Sequence, residues 1–230
     1  TASEDKLRRF VADASHELRT PLTAIRGFAE LHRQGAVAGE EKTKELLGRI
    51  ENESLRMGSL VEDLLLLARL DQAREMEKLP VDLNALLREN VASAQAAGPQ
   101  HPVSLDLKAD ESFILGDKNR IFQVVANLLA NARTHTPAGT PISVKSWSDD
   151  TGTFISVADQ GPGLSAQDQS KIFERFYRAD ASRVRTDGEG SGLGLSIVDA
   201  VMKAHGGTAS VSSELGKGST FTLFFPNGVA

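Results

Sequence analysis

The sequence contains no cysteine, which excludes disulfide frameworks, cysteine-ligated zinc sites and thiol nucleophiles and fits a reducing compartment. It also lacks an excess of positive charge. Its 26 Lys and Arg residues against 31 Asp and Glu give a formal net charge of -5, the wrong sign for a chain that binds nucleic acid. The longest apolar run, Leu64–Ala68, falls far short of the roughly 20 residues of a membrane span. We therefore expect a soluble, cytoplasmic chain with a packed core and no nucleic-acid partner.

Glycine and proline are scarce in the first third of the chain. Residues 1–78 hold 5 of the 20 glycines and 1 of the 8 prolines, which leaves 15 and 7 for residues 79–230. The imbalance predicts two domains, a helical one over 1–78 and a glycine-rich one over 79–230.

The first domain carries two apolar stripes with helical spacing. The first stripe consists of Leu7, Val11, Ala14, Leu18, Leu22, Ile25 and Ala29. The second consists of Leu46, Ile50, Met57, Val61, Leu64 and Ala68, after a glycine-bearing turn over 34–39. We predict a helical hairpin. Because one hairpin buries only one face of each helix, we expect a homodimer that forms a four-helix bundle.

His16 lies about 180° from Leu7 around the first helix, so it should face solvent. Glu17 is adjacent in sequence, and Thr20 follows one turn later on the same side. Pro21 removes a backbone hydrogen bond and is expected to kink the helix just beyond this cluster. From spacing alone, an exposed helical histidine is more often a solvated residue than a catalytic one.

Strands and helices alternate from Leu79 onward. Strand-like alternation occurs in Val103–Leu107, Ile142–Val144, Ile155–Val157 and Phe221–Phe225. Helices are expected after a capping Asp82 up to Gly98, over Asp117–Arg133, and over Ser191–His205 up to Gly206. This grouping predicts an α/β sandwich, a sheet covered on one face by helices.

Two polar clusters of this second domain are compatible with a nucleotide site. Asn127 and Asn131 stand four residues apart on one helix and therefore share a face. Their amides are either ordinary surface groups or a source of oxygen ligands for a Mg²⁺ ion that carries nucleotide phosphates. Asp159 follows a strand and precedes Gly161 and Gly163. Its carboxylate either forms an ordinary Asx turn or accepts a hydrogen bond from an exocyclic amine such as that of adenine.

A third cluster, Gly188–Leu195, is rich in glycine at a predicted helix start. Backbone N–H groups and the helix N-terminus favour a phosphate there, although the spacing matches neither the dinucleotide fingerprint nor a Walker loop. The segment between the glycine clusters includes Ile172–Arg178 and predicts a mobile lid over about 163–190.

Together these motifs resemble the catalytic core of a sensor histidine kinase from bacterial two-component signalling. SHELRTPL at Ser15–Leu22 resembles the phospho-acceptor box, NLLANA at Asn127–Ala132 the asparagine box, and DQGPG at Asp159–Gly163 the first glycine box. FERF at Phe173–Phe176 resembles the phenylalanine box, GSGLGL at Gly190–Leu195 the second glycine box, and GKGSTF at Gly216–Phe221 a final glycine turn. Six motifs stand in the family's order and cover nearly the whole chain.

The resemblance implies a protein-histidine kinase. His16 is expected to accept the γ-phosphoryl group of ATP, and Glu17 to hold the proton of the other ring nitrogen. Arg178 is the expected lid cation that neutralises the γ-phosphate. The implied partner is the receiver domain of a response regulator, whose aspartate takes the phosphoryl group. Thr20 resembles the position that orients water for dephosphorylation of that partner, which predicts a bifunctional kinase and phosphatase.

The resemblance also assigns the nucleotide site. Asn131, helped by Asn127, is expected to ligate Mg²⁺, Asp159 to read the adenine amine, and His135 to line the adenine pocket unless it has no ligand role. The other expected contacts are Gly161, Gly163, Phe173, Gly190, Gly192, Leu193, Gly194, Leu195 and Thr220. The family often has a basic residue where this chain has Thr134, and Arg133 projects about 100° away. His32, His101 and His205 are expected to have no ligand role.

The ATP-binding domain must swing to bring ATP to His16, and Leu79-Pro80 is the expected hinge. Family members commonly join this core to an upstream sensor and transmembrane helices. The parent protein is therefore expected at the inner or plasma membrane, without membrane contact by these residues. Two other functions stay open: an ATPase of the related nucleotide-binding fold, and an ATP-binding dimeric scaffold without phosphotransfer.

Overall fold

The computed structural model of the chain describes residues 2–71, 78–108, 112–179 and 191–227. In chain order its elements are α1 (Ala2–Arg33), α2 (Glu40–Asp71), β1 (Leu79–Asp82), α3 (Leu83–Ala97), β2 (Val103–Leu107), β3 (Phe113–Gly116), α4 (Lys118–Thr134), β4 (Ile142–Ser148), β5 (Gly152–Asp159), α5 (Ala166–Lys171), α6 (Gly194–Ala204), β6 (Thr208–Glu214) and β7 (Gly218–Pro226). The chain divides into two compact units, residues 1–68 and 69–230. The predicted domain boundary after residue 78 stays a prediction.

The first unit contains the predicted helical hairpin. The guanidinium of Arg49 on α2 lies 6.0 Å from the centre of the Phe28 ring on α1. Side chains of the predicted apolar stripes remain open within one chain, since Val11 is 55% exposed, Leu22 56% and Val61 41%. One hairpin therefore leaves a long apolar surface uncovered, which favours the expected four-helix bundle.

The second unit is a two-layer α/β sandwich, as predicted. Its five-stranded sheet has the order β2-β4-β5-β7-β6, in which only β2 and β4 pair in parallel. Strands β1 and β3 form a separate antiparallel pair. Helices α3, α4 and α6 contact the five-stranded sheet, and α4 also packs on α3 and α6. The core therefore lies between one face of the sheet and these three helices.

Alternation along the strands separates two faces of the sheet. The helix-covered face carries the buried residues Ile142, Val144, Ile155, Val157, Phe221, Leu223 and Phe225. The other face carries half-buried Trp147, Phe154 and Phe224, which stack across β4, β5 and β7 with ring centres 5.1 and 4.8 Å apart. Directly opposite residues of paired strands share a face, so this register also decides which side chains can meet at the sheet edge.

Several predicted boundaries are confirmed by cap geometry. Asp82 accepts a hydrogen bond from the Ala85 amide at the start of α3, and Asp117 accepts from the Asn119 and Arg120 amides at the start of α4. Gly98 ends α3. The predicted helix over Ser191–His205 begins only at Gly194, because Gly192 has φ of 71°, a conformation that a right-handed helix does not contain.

One other expectation needs correction, and three strands were not predicted. Leu79 and Pro80, expected to form a hinge, lie in β1, where they pair with Gly116 and Leu115 of β3. The strands β1, β3 and β6 were not predicted from the sequence. Strand β6 reads TASVSSE and has few of the apolar residues that mark a half-buried strand, while β1 and β3 have only four residues each.

None of the helices in the described part of the chain combines the length and apolar character that a membrane crossing requires.

Loss of the α4 cap tests how much its helix start contributes to stability. Asp117→Ala removes the acceptor of two backbone N–H groups, so we expect the free energy of unfolding to fall by about 1 kcal/mol in urea titrations. Asp150→Ala, at an exposed turn position, is the matched control and should change stability by less than about 0.5 kcal/mol. Equal effects of the two substitutions would contradict the capping role.

Candidate functional site

Helix α4 holds the two candidate asparagines. Its buried side chains face the core, whereas Asn127 and Asn131 are half-buried on a different side of the helix. The Asn127 side-chain amide donates to the carbonyl of Gly194 across 3.3 Å. The structure therefore places Asn127 next to the start of α6.

The start of α6 is suited to phosphate. Gly192 has a left-handed φ. The Phe176 backbone is so close to it that a Cβ on Gly192 would lie 3.0 Å from the Phe176 Cα. Leu193 is fully buried, so only its backbone can serve the site. Side chains cap α3, α4 and α5, whereas within the described residues none caps α6. Its first N–H groups, those of Gly194 and Leu195 among them, are thus suited to an anionic ligand.

Asp159 ends β5 at the edge of the same region. Its Oδ1 accepts a hydrogen bond from the Gly161 amide at 2.8 Å. Burial raises the pKa of the Asp159 carboxyl, while the amides of Gly161 and Ser219 and the charge of His135 act in the opposite direction. A partly desolvated carboxyl group with one oxygen held by a turn is well placed to accept a hydrogen bond from a ligand amine.

The turn after Asp159 is packed against the β6–β7 hairpin. At Gly163, with φ of 71°, a Cβ would overlap the carbonyl of Glu214, so only glycine fits. Gly161 lies beside Thr136, whose methyl group would be 2.6 Å from an added Cβ. The first glycine box is therefore a close backbone contact that fixes the position of Asp159. Thr136 was not predicted from the sequence.

Thr220 was expected to contact the nucleotide, but the strand register does not place it beside Asp159. In the antiparallel pairing of β5 and β7, Asp159 is opposite Ser219, whereas Thr220 is opposite Ala158. Because directly opposite residues share a face, Thr220 points to the face of the sheet away from Asp159. Ser219, which is 8% exposed, is the residue of this motif that lies opposite Asp159. The alternation from buried Phe221 could have identified Ser219 in the sequence.

Aromatic residues anchor the start of the predicted lid. The Phe173 ring meets Phe221 edge to face with centres 6.3 Å apart. The Tyr177 hydroxyl donates to Asp168 on α5 at 2.8 Å. The Phe176 amide donates to the carbonyl of Gly192 at 3.0 Å, which joins the two ends of the segment that contains residues 180–190. Phe176 is the only non-glycine residue of the described part with positive φ, at 61°.

A polar network centred on Gln169 was not predicted. Its side-chain nitrogen donates to the carbonyls of Leu164 and Ser213, and its oxygen accepts from the Ser213 amide. The Ser213 hydroxyl accepts from the Leu164 amide and donates to the carbonyl of Gly218. This network ties α5 to the end of β6, and so joins the first residues of the lid to the hairpin that supports Asp159.

His16 on α1 faces solvent, as predicted. His16 and Thr20 are exposed, and Glu17 is half-buried. The Thr20 hydroxyl donates to the His16 carbonyl over 3.4 Å. Pro21 is buried and lies inside the continuous helix, where its missing N–H leaves the Glu17 carbonyl without the usual helical donor.

The other predicted residues divide as follows. Arg178 is half-buried, Gly190 lies outside the described residues, and His135 is an exposed residue at the C-cap of α4 near Asp159. The Arg133 side chain packs over Gly98 at the end of α3, where its Cδ would be 2.8 Å from an added Cβ. Arg133 is therefore directed toward α3.

Two family models match the chain. One, described as "His Kinase A (phospho-acceptor) domain", matches residues 6–73, which include His16. The other, described as "Histidine kinase-, DNA gyrase B-, and HSP90-like ATPase", matches residues 116–229, which include Asn131 and Asp159.

Curated relatives carry both regions. The probable sensor histidine kinase TcrY of Mycobacterium tuberculosis is 51% identical over 215 residues, which cover 94% of this chain and 45% of TcrY. The sensor histidine kinase TrcS of the same organism is 41% identical over 223 residues, which cover 95% of this chain and 43% of TrcS. The chain thus spans less than half the length of these two relatives.

Solved structures show the same arrangement of elements. Acinetobacter baumannii histidine kinase AdeS is 27% identical with a TM-score of 0.72, over 92% of this chain and 97% of that chain. Full-length ShkA in complex with AMPPNP is 30% identical with a TM-score of 0.67, over 96% of this chain and 47% of that chain.

The Gln169 network yields a stability prediction. Gln169→Leu leaves two carbonyls and the Ser213 amide without their partner, so we expect the free energy of unfolding to fall by about 1–3 kcal/mol. Gln167→Leu, an exposed position on the same helix, should change it by less than about 0.5 kcal/mol. Urea unfolding followed by circular dichroism measures both, and an unchanged Gln169→Leu midpoint would show that the network is not stabilising.

Proposed function

The chain belongs to the sensor histidine kinases of two-component systems, and from that premise we propose that it phosphorylates His16 from ATP and passes the phosphoryl group to a response-regulator aspartate. The observation that carries the proposal is an exposed histidine on α1 in the same chain as a glycine- and asparagine-lined nucleotide site. Both ATP and a receiver domain are available in the cytoplasm, which is where we propose that these residues act.

The transfer at His16 is a substitution at phosphorus. A ring nitrogen of His16 forms a bond to the γ-phosphorus while the bond from that phosphorus to the β–γ bridging oxygen breaks, and ADP leaves. Glu17 is placed to hold the proton on the other ring nitrogen, so that the attacking nitrogen carries its lone pair. Arg178 is proposed to neutralise charge on the γ-phosphate.

The nucleotide is proposed to bind along Asp159, α4 and the start of α6. Asp159 accepts from the adenine amine with Ser219 and Thr136 beside it, and the amides at the start of α6 hold phosphate oxygens. The complex of ShkA with AMPPNP supports a nucleotide at this fold. In the described residues no cluster of three or more His, Asp or Glu side chains is arranged for a metal. Mg²⁺ would therefore use the oxygens of Asn131 and Asn127 together with phosphate, where it supplies positive charge.

The active form is proposed to be a homodimer. The exposed apolar stripe of the hairpin, which includes Val11, Leu22 and Val61, needs a covering surface, and a second copy of the same stripe supplies one by symmetry.

His16→Gln tests the proposal. After incubation with radiolabelled ATP and Mg²⁺, we expect acid-labile label on the natural chain and only background label on His16→Gln, because the acceptor nitrogen is absent. His32→Gln, an exposed histidine on the same helix, is the matched control and should keep full labelling.

Equal labelling of His16→Gln and the natural chain would refute the proposal. Steady ATP hydrolysis without labelled protein would favour an ATPase of the related fold, and nucleotide binding without label or hydrolysis would favour a scaffold.

Thr20→Ala tests the proposed phosphatase role. We expect autophosphorylation to stay within about twofold, whereas dephosphorylation of the phosphorylated regulator slows by about 100-fold, since the hydroxyl orients the attacking water. Thr23→Ala removes a similar hydroxyl, which donates to the Arg19 carbonyl at 2.8 Å, and is the control. If Thr23→Ala slows dephosphorylation as much as Thr20→Ala, the effect is a property of the helix and the assigned role is wrong.

A further inference from the structure

His205 follows α6 at the end of that helix remote from the glycine loop. The side chain is only 6% exposed, although histidine carries two polar ring nitrogens. A buried polar ring is tolerated only when both nitrogens are paired, so the partners of the ring show what it does.

Both ring nitrogens have backbone partners. The Asp117 amide donates to Nε2 at 3.0 Å, and Nδ1 lies 2.8 Å from the carbonyl of Val201. An amide N–H can only donate and a carbonyl can only accept. Nε2 therefore carries a lone pair and Nδ1 carries the hydrogen, which makes the ring neutral with a fixed tautomer.

The surroundings are shaped to this ring. A Cβ on Gly116 would lie 2.8 Å from Cδ2 of His205, so the absence of a side chain there makes room for the imidazole. Phe225 of β7 meets the ring edge to face with centres 6.1 Å apart. The residue that donates to Nε2, Asp117, is also the N-cap of α4. The imidazole therefore joins the end of α6 to the start of α4.

A second tie joins the same two helices at the nucleotide end. The Asn127 amide of α4 donates to the carbonyl of Gly194, the first residue of α6. The two ties are ten residues apart on α4, from 117 to 127, and eleven apart on α6, from 194 to 205. Helix α6 is thus held at both of its ends, by the start of α4 and by the middle of α4.

We propose that His205 is a positioning residue of the nucleotide site: its neutral ring braces α6 against the start of α4, and protonation of the ring weakens nucleotide binding. A proton on Nε2 would face the Asp117 N–H donor to donor, so this tie would be lost. The relative position of Asn131 and the α6 amides would then depend on the Asn127 contact and on the side-chain packing of α4 against α6, without the contact at the start of α4. The inference rests on the proposed function, because it needs a nucleotide at this site.

The surroundings of the His205 ring favour its neutral form. Burial lowers the pKa of His205 below its ordinary value of 6.5, the Val201 hydrogen bond opposes this, Lys78 lowers the pKa further and Asp117 raises it. From the other packed elements, β3 contributes Gly116 and β7 contributes Phe225, neither of which is charged. Since the folded pKa is depressed, the neutral ring stabilises the fold at neutral pH, and this contribution decreases as pH falls below the ordinary value.

Calorimetry of AMPPNP binding with Mg²⁺ to the full chain, from about pH 7.5 to about pH 5.5, tests whether protonation of His205 weakens nucleotide binding. His205→Gln is the informative variant because its amide can accept and donate but does not titrate in this range. We expect the dissociation constant of the natural chain to rise about fivefold more than that of His205→Gln as pH falls. The other titratable groups of the site are common to both proteins, so the difference between them reports on His205. His32→Gln should keep the natural pH dependence.

A second measurement needs no stable variant. If protonation of His205 weakens binding, AMPPNP must lower the pKa of His205 by reciprocity, and NMR titration of the ring resonances shows this directly. Equal pH slopes in natural and His205→Gln chains, or a His205 pKa unchanged by AMPPNP, would overturn the inference while leaving the proposed function intact. Absence of AMPPNP binding by the natural chain at about pH 7.5 would overturn both.

Discussion

Burial of one face of α4 is the constraint on which the nucleotide site depends. Ile121, Val124, Leu128 and their neighbours must face the core, so residues four apart on another side of the helix are held at its boundary. Asn127 and Asn131 occupy that side, and the contact of Asn127 with Gly194 sets the start of α6 beside them. The apolar pattern of one helix thus determines where the asparagine side chains meet the first N–H groups of α6, which is the proposed nucleotide site.

The two units differ in their backbone: the first consists of regular helices, and the second contains glycine-rich turns. A regular helix without glycine loops keeps the His16 side chain exposed, which agrees with its proposed role as the nucleophile. The glycine-rich unit instead contains close backbone approaches, such as Gly163 against Glu214, next to the proposed nucleotide site. The uneven distribution of glycine along the sequence is therefore a consequence of this division.

Local patterns predicted the parts of the fold that local forces determine. Helical periodicity identified α1 and α2, and capping residues identified the starts of α3 and α4, because each signal lies within a few residues of its effect. The contacts that were not predicted join distant residues: the His205 ring accepts a hydrogen bond from an amide 88 residues away, and Gln169 binds Ser213. Thr220 was assigned from its motif, whereas pairing with β5 places Ser219 at Asp159. Such choices are fixed by strand register and packing, which no local pattern specifies.

We propose that phosphate is transferred from ATP at the nucleotide site to the side chain of His16. Mass-spectrometric mapping of the intact chain after incubation with ATP and Mg²⁺, at a pH where phosphohistidine survives, tests it most directly. We expect phosphate on the peptide that contains His16, and loss of that phosphopeptide in Asn131→Ala. Phosphate on a peptide with another histidine, with the His16 peptide unmodified, would contradict the account.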